Sequence, residues 1–422
     1  MRRPTPGRAA TAAALVTAVV TTAALAGCAP TVGEVFPQAP SAVEKLAATP
    51  LTVAAPPPTP PAPAEPECVP APLERRAAAV LVVGLPGVVR PGDALAQQVV
   101  DLGVGGVFLS ESNIRSTTQV QTLTTGLRER AGRPLLVSTD EESGRVSTTR
   151  ELTGPGPSPR RMAATETPPE VRSRAAGIGA QLRELGVDLD LAPLLDLDGG
   201  AAGGVVGDRS FSADPAIAGD YGLAFSAGLA DAGVTPTVKH FPGHGRSTAD
   251  THAGAAVVDA SVDELAATDL APFQRAIDAG APVVMLNHVQ YEALDAGLPA
   301  SLSPAAYDLL REMGFEGVAI TDSVGMGAVN MRWDFPDAAV AAVAAGADAV
   351  LTTDGNQALR MRDALVAAVA SGALPEDRLS EAAARVTALA GGDPVAMSCV
   401  DVVLPVLELP VPVSDATTDP VG

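Results

Sequence analysis

The sequence predicts an α/β fold of the (β/α)8 TIM-barrel class, formed by a single domain that follows an N-terminal signal peptide and a disordered Pro/Ala-rich linker. Two observations lead to this prediction. Short runs rich in β-branched residues recur between residues 74 and 392, and Ala-rich helical stretches separate many of them. Polar residues follow most of these runs, where a barrel places its active site. A doubly wound open sheet is the alternative, but no Gly-x-Gly-x-x-Gly sequence follows a strand.

Eight strands are predicted, which fits a closed barrel with insertions in a domain spanning residues 73–399. The strand runs are 79–83, 106–109, 135–138, 187–191, 235–238, 283–286, 317–320 and 349–351. The helical candidates are 170–185, 216–232, 262–279, 304–313 and 336–345.

The start of the chain is typical of a secreted lipoprotein. Arg2, Arg3 and Arg8 precede an apolar run over residues 9–26, which is the pattern of a signal peptide. The run ends in Leu-Ala-Gly-Cys at residues 25–28, so we predict cleavage after residue 27 and lipidation of Cys28. An ordinary signal peptide, with Cys28 incidental, is the alternative.

Residues 28–72 are rich in Pro and Ala and cannot bury a core. We interpret them as a disordered tether that would reach on the order of 100 Å if extended. The chain would thus be exported and held on the outer side of the cell membrane by its lipid anchor alone. At the other end, the tail over residues 400–422 has no helical period, and the sequence leaves open whether it caps the barrel or is disordered.

Cys68 and Cys399 bracket the predicted barrel. An exported domain folds in an oxidising compartment, which favours disulfides. We therefore predict a disulfide between these two residues, with two free buried thiols as the alternative.

The composition excludes some functions. The formal net charge of −21 argues against broad electrostatic binding to nucleic acid. Aromatic residues make up only 3% of the chain, which disfavours an aromatic-lined groove for long polysaccharides. No cofactor is indicated, and we expect a monomer that acts on a small-molecule or oligosaccharide substrate.

The motif Lys-His-Phe-Pro-Gly-His-Gly at residues 239–245 stands out. The chain has four histidines, three of which lie in this motif or just after it, and its only other lysine is Lys45. His240 and His244 have the spacing of a helical zinc pair, but the Pro-Gly between them opposes a helix, so we predict no metal.

Charged and polar groups follow the predicted strands in order, and a barrel would bring them to one rim. They are Asp140, Asp196, Asp208, Arg209, Lys239, His240, Asn287, His288, Asp322 and Asp354. An Asp at a strand end can attack the anomeric carbon of a sugar, provided that a second group protonates the departing oxygen. Asp250 and His252 lie two residues apart, and a carboxylate beside an imidazole can orient it for proton transfer.

Together these motifs resemble those of bacterial family 3 glycoside hydrolases of the β-N-acetylglucosaminidase type. Besides residues 239–245, the matching segments are 187–193, 207–212, 250–252, 287–289 and 320–322. The resemblance covers about residues 75–390. It implies a TIM barrel and a retaining exo-acting hydrolase that removes N-acetylglucosamine from cell-wall fragments.

The resemblance also implies residue roles. Asp322 would be the nucleophile, and His252, oriented by Asp250, the acid/base. The residues implied to hold the sugar are Asp140, Arg145, Arg209, Lys239, His240 and His288.

The chain departs from the family pattern at several positions. Ser143 replaces the first of two glycines, Thr148 stands where a basic residue is usual, and Ser323 replaces a second Asp after the nucleophile. Arg150 is a candidate substitute for the missing basic residue. A Pro expected after the Asp-x-His turn is absent.

Because the predicted nucleophile and dyad are present, we expect activity. A glycoside phosphorylase on the same site, a catalytically weak sugar-binding lipoprotein and, less favoured, a broad β-glucosidase are the alternatives.

Overall fold

The computed structural model describes residues 68–247 and 249–408. The predicted signal peptide, Cys28, most of the predicted tether and the end of the tail lie outside the described residues. Eight parallel strands form the central sheet. They are β1 (Leu81–Gly84), β2 (Gly106–Leu109), β3 (Leu136–Thr139), β4 (Leu189–Asp190), β5 (Thr235–Phe241), β6 (Val283–Leu286), β7 (Val318–Thr321) and β8 (Val350–Thr352).

The sheet closes into a barrel. From β1 to β7 each strand pairs in parallel with the next along the chain, and β1 also pairs with β8, with Leu81 opposite Val350. The remaining gap, between β7 and β8, is bridged where the Thr321 N–H donates to the Ala349 carbonyl at 3.1 Å. The predicted (β/α)8 barrel is confirmed.

Helices surround the barrel and fill the strand connections. They are α1 (Leu73–Ala79), α2 (Ala94–Leu102), α3 (Thr117–Ala131), α4 (Arg150–Thr153), α5 (Pro159–Thr165), α6 (Pro168–Glu184), α7 (Pro215–Asp231), α8 (Val262–Ala267), α9 (Leu270–Asp278), α10 (Pro304–Glu312), α11 (Gly327–Asn330), α12 (Phe335–Ala345), α13 (Ala358–Ser371), α14 (Glu376–Leu389) and α15 (Pro394–Ser398). None of these helices is long and apolar enough to cross a lipid bilayer.

Two short two-stranded sheets lie on the connections. Glu141–Ser143 pairs antiparallel with Val146–Ser147 after β3, and Ala256–Val258 pairs in parallel with Val289–Tyr291. Both sheets belong to loops at the carboxyl ends of the barrel strands, so they order the rim on which the polar residues lie.

The alternation of side chains along each strand explains the continuous apolar runs of the sequence. Val82 of β1 points into the barrel, while Leu81 and Val83 pack outward against the helices. In β6, Val283 and Met285 likewise line the interior. Both faces of a barrel strand are buried, so both must be apolar.

The amino-terminal end of the barrel is covered by the end of the chain. Val386 of α14 packs against the inner cluster, and Leu404 packs against the same cluster from the tail. The N–H of Glu408 donates to the Ala279 carbonyl at 2.8 Å. The described part of the tail therefore caps the barrel face opposite the site.

The predicted disulfide is present: Cys68 is bonded to Cys399, with their Cα atoms 5.7 Å apart. It joins the residues just before α1 to those just after α15. The two ends of the domain are therefore fixed to each other.

Two sequence predictions need correction. Strand β5 does not end at residue 238 but continues to Phe241, so Lys239 and His240 lie on the strand and not in the loop. The helix predicted over 262–279 is two helices, α8 and α9, separated at Thr268 and Asp269. Pro272 lacks an N–H and is tolerated only in a first helical turn, so a helix must begin just before it.

Removing the disulfide should destabilise the domain. We expect Cys68→Ser with Cys399→Ser to lower the free energy of unfolding by ~2–5 kcal/mol, because the cross-link restricts the unfolded chain. Denaturant unfolding followed by circular dichroism measures this. Reductant should lower the stability of the parent protein to that of the double variant and leave the double variant unchanged. Equal stability of the oxidised parent and the double variant would contradict the prediction.

Candidate active site

A cavity of about 710 Å³ opens at the carboxyl ends of the barrel strands. Its size suits a small ligand. Its lining includes nearly all the side chains that the sequence placed in the site: Asp140, Arg145, Arg209, Lys239, His240, Asp250, His252 and Asp322. Four different strand-to-helix connections and β5 itself supply these residues, so the barrel brings together groups that are far apart in sequence.

The inner wall of the cavity contains a buried charge cluster around Lys239. Its ammonium donates to Asp140 Oδ1 at 2.7 Å and lies 2.6 Å from Glu142 Oε1. Arg209 donates two hydrogen bonds to the same Glu142 carboxylate, at 2.6 and 2.7 Å. Lys239 and Glu142 are each only 1% exposed. Two cations and two carboxylates therefore neutralise one another.

The cluster shifts the protonation of its members. Burial opposes ionisation of Glu142, but the charges of Arg209 and Lys239 outweigh it and lower the pKa of Glu142 below its ordinary value. Burial by itself would lower the pKa of Lys239, but the negative charges of Asp140 and Glu142 raise it above its ordinary value. The pKa of Asp140 is raised, chiefly by burial, although Lys239 opposes this.

His240 is fixed from behind by Asp196. The Nδ1–H of His240 donates to Asp196 Oδ2 at 2.6 Å, and the backbone N–H of His244 donates to Oδ1 at 2.6 Å. Asp196 is fully buried, and burial alone would raise its pKa, but His240 and His244 together lower it. The Asn287 amide donates to the His240 carbonyl at 3.0 Å. The imidazole of His240 is thus oriented with Nε2 left for a ligand.

Asp322 directly follows β7 and lies half-buried on the cavity wall. Its Oδ1 accepts the Ser323 N–H at 2.7 Å. Burial raises its pKa, but His288, His240 and this hydrogen bond together lower it below the ordinary value. Asp322 is therefore an ionised carboxylate that the backbone at the end of β7 holds in place, as a nucleophile requires.

Asp250 and His252 lie on the rim of the same cavity, on the loop after β5. The Nδ1–H of His252 donates to Asp250 Oδ1 at 2.8 Å, and the His252 backbone N–H donates to the same oxygen at 2.9 Å. These two hydrogen bonds lower the pKa of Asp250. The carboxylate holds the imidazole with Nε2 free, which is the arrangement a proton donor needs.

The structure places His288 outside the lining of the cavity. It is 1% exposed and does not line the cavity. Its Nε2–H donates to the Ser323 carbonyl at 2.8 Å, and its Nδ1 lies 2.6 Å from the Ser301 hydroxyl. Burial lowers its pKa. His288 was predicted to bind substrate, but in this geometry it fastens the segment that carries Asp322.

Arg145 lines the cavity but is occupied with the protein itself. Its guanidinium donates to the carbonyls of Gly204 and Val206, each at 2.7 Å, and lies 3.2 Å from Asp208. It holds the loop over residues 203–206 against the cavity mouth. A direct contact with the sugar stays a prediction.

The comparison with known proteins assigns the chain to a family. Residues 73–389 match the glycosyl hydrolase family 3 N-terminal domain. The chain belongs to glycoside hydrolase family 3. The resemblance found from its motifs is thereby confirmed, and the chain is a glycoside hydrolase.

Several family 3 proteins are similar over most of the chain. The β-hexosaminidase LpqI of Mycobacterium tuberculosis is 37% identical over 361 residues, 82% of this chain and 89% of that protein. A family 3 glycosyl hydrolase structure from Mycobacterium smegmatis has a TM-score of 0.71 and 39% identity, covering 76% of this chain and 97% of that one. A family 3 β-N-acetylglucosaminidase from Paenibacillus has a TM-score of 0.71 and 32% identity, covering 79% and 64%.

The departures from the family 3 pattern are accommodated locally. Ser143 has φ 66°, a left-handed conformation that favours glycine, and its hydroxyl donates to the Pro157 carbonyl at 2.8 Å. Thr148 donates through its hydroxyl to the Asp140 carbonyl at 2.8 Å. Arg150 donates to the Gly144 carbonyl and does not line the cavity, so it does not place a replacement charge there.

Sequence reasoning missed three residues that hold the site together. Glu142 was given no role, Asp196 was noted only as a polar residue at a strand end, and His244 was considered only as a metal ligand. Their signal was weak because their partners are distant in sequence: Arg209 lies 67 positions from Glu142, and His244 lies 48 positions from Asp196. Only the closed barrel brings these partners together.

Removing the Glu142 charge should destabilise the protein strongly. Glu142→Gln leaves two buried cations facing one carboxylate, so we expect a loss of ~3–5 kcal/mol in the free energy of unfolding at pH 7. As a matched control, Asp101→Asn breaks the exposed ion pair with Arg130 and should leave the free energy of unfolding almost unchanged, because solvent screens exposed charges.

The effect should depend on pH with a definite sign. Since the pKa of Glu142 is depressed in the folded state, its stabilising effect is complete above the ordinary carboxyl pKa of about 4.3. The stability gap between the parent and Glu142→Gln should therefore shrink as the pH falls below that value. Denaturant unfolding at pH 7, 5 and 3 measures the gap, and a constant gap would contradict the prediction.

Proposed function

We propose that this family 3 enzyme is a retaining exo-β-N-acetylglucosaminidase. The observation that carries the proposal is the position of Asp322 and His252 on the same cavity, one an ionised carboxylate on a strand end and the other an oriented imidazole on the rim. The names of the relatives, a β-hexosaminidase and a β-N-acetylglucosaminidase, support N-acetylglucosamine as the sugar.

In the first step Asp322 attacks the anomeric carbon, and the bond to the leaving oxygen breaks. The protonated imidazole of His252 gives its proton to that oxygen, and Asp250 stabilises the ring while it is charged. The product is a covalent glycosyl ester on Asp322. In the second step neutral His252 takes a proton from water, and the hydroxide attacks the anomeric carbon. Asp322 leaves as a carboxylate, and the sugar keeps its original configuration.

The inner wall accounts for exo action. Lys239, Arg209 and Asp140 present donors and an acceptor to the hydroxyls of one sugar ring. The barrel interior behind them is filled by the apolar cluster that includes Leu136, so the cavity ends there. A terminal sugar fits such a pocket, and the rest of the glycan extends past His252 towards solvent.

The nucleophile and the acid can be separated experimentally. Asp322→Ala should lower turnover of an aryl N-acetyl-β-glucosaminide by about 10³-fold or more, because no covalent intermediate forms. His252→Ala should be rescued in the first step by a leaving group that needs no protonation. Asp308→Ala, at an exposed position of α10, is the control and should keep full activity. An Asp322→Ala variant as active as the parent would overturn the mechanism.

The same assay discriminates the alternatives. Release of sugar 1-phosphate when phosphate is added would identify a phosphorylase. Sugar binding without turnover, on N-acetylglucosaminides and on β-glucosides, would identify a binding lipoprotein.

We further propose that the enzyme is exported and anchored to the cell membrane through a lipid on Cys28, where it trims cell-wall fragments. The signal-like residues 1–27 and the Leu-Ala-Gly-Cys sequence motivate this. The disulfide between Cys68 and Cys399 supports an oxidising compartment.

Cys28→Ala should release the enzyme from the membrane. In a host that processes bacterial lipoproteins, we expect the parent protein in the membrane fraction and the variant in the soluble exported fraction. Fractionation followed by immunoblotting measures this, with Lys45→Ala in the tether as a control that should stay on the membrane. An unchanged membrane fraction for Cys28→Ala would exclude the anchor.

A further inference from the structure

The turn that carries the proposed acid/base contains a buried residue between two exposed ones. The side chains of Asp250 and His252 are 53% and 72% exposed, whereas Thr251 is only 2% exposed. A threonine hydroxyl is rarely buried on a surface turn without a partner, because losing its contact with water is costly. The position of Thr251 therefore indicates an attachment point.

Thr251 contacts the body of the enzyme on two sides. Its hydroxyl oxygen lies 3.3 Å from Nε2 of His244, within hydrogen-bond distance. On the other side, the Ala328 N–H donates to the Thr251 carbonyl at 3.0 Å, and the Gly327 N–H donates to the His252 carbonyl at 3.2 Å. Both of these donors belong to α11, which follows the nucleophile Asp322 in sequence.

His244 is itself rigidly held. It is 5% exposed, and its backbone N–H donates to Asp196, the residue that also orients His240. Burial lowers the pKa of His244, so the ring is neutral near pH 7 and can exchange one hydrogen bond with a hydroxyl. Within residues 68–247 and 249–408, Nδ1 of His244 has no hydrogen-bond partner, so the ring's one hydrogen bond there is the contact of Nε2 with Thr251.

We propose that Thr251 is a positioning residue that docks the acid/base turn between His244 and the start of α11. Docking holds His252 over the cavity while Asp250 orients its ring. The proposal rests on the acid/base role of His252 given above. It assigns His244 the task of connecting the turn to the buried Asp196.

Gly327 makes the second half of this docking possible. A Cβ added at Gly327 would lie 2.7 Å from the His252 carbonyl oxygen, closer than such atoms approach each other. Any side chain there must push the turn away from α11. Gly254 belongs to the same loop, but a Cβ added there would meet nothing within 4 Å. The two glycines therefore give a matched pair of substitutions.

The test compares two leaving groups in the full-length enzyme. We measure kcat/KM, which reports formation of the glycosyl-enzyme, for an alkyl and for a dinitrophenyl N-acetyl-β-glucosaminide. The alkyl group needs protonation and the dinitrophenyl group does not. Misplacement of His252 should therefore slow only the alkyl substrate, by roughly 10–100-fold.

We expect that selective loss in Thr251→Val, which keeps the shape of Thr251 but lacks the hydroxyl. Thr251→Ser keeps the hydroxyl and should retain near-parental rates with both substrates. Gly327→Ala should show the same selective loss as Thr251→Val, and Gly254→Ala should not. Melting temperatures of all four variants separate misplacement from unfolding, since partial unfolding lowers both substrates' rates together.

Two results would overturn the proposal. In the first, His252→Ala lowers kcat/KM for the alkyl substrate alone, but Thr251→Val and Gly327→Ala do not. These two variants instead lower kcat/KM by the same factor for both substrates, or leave it unchanged. That result would keep the acid/base role of His252 and reject the positioning role of Thr251. In the second, the effect of His252→Ala on kcat/KM is the same for both leaving groups. That result would reject the acid/base role of His252, and with it the positioning role of Thr251.

Discussion

The site depends on one buried cation, Lys239, which forms ion pairs with the carboxylates of Asp140 and Glu142. A buried ammonium is tolerated only when it is paired and hydrogen-bonded, so Lys239 must hold both carboxylates close to it. Arg209 completes the cluster through Glu142. The cluster ties β3, β5 and the connection after β4 together, and it builds the wall against which a sugar would lie.

The two groups that we propose to react, Asp322 and His252, are supported in different ways. Asp322 is fixed at the end of β7, and His288 holds its segment. In the proposed mechanism His252 first gives a proton and later takes one. It lies on an exposed turn, and its support comes from Asp250 beside it and Thr251 beneath it.

The departures from the family pattern show how a site tolerates substitution. At Ser143 the left-handed backbone is retained and a hydroxyl hydrogen bond accompanies it. Ser323 is buried, and its hydroxyl accepts the Thr353 N–H at 3.2 Å. In each case the polar side chain has a hydrogen-bond partner within the protein.

The sequence by itself determined the barrel, because strands buried on both faces leave a repeated apolar signature that helices interrupt. Its motifs, through their resemblance to family 3, also led to Asp322 and His252 as the proposed reacting groups, and the disulfide predicted between Cys68 and Cys399 is present in the structure. The tertiary structure decided which residues support them. Strand β5 continues through Lys239, which pairs with Met285 of β6, and the side chain of His288 is buried. Glu142 and Asp196 gain their roles from contacts that closure of the barrel creates, and Thr251 gains its role when its turn meets His244 and α11. No local pattern encodes these contacts.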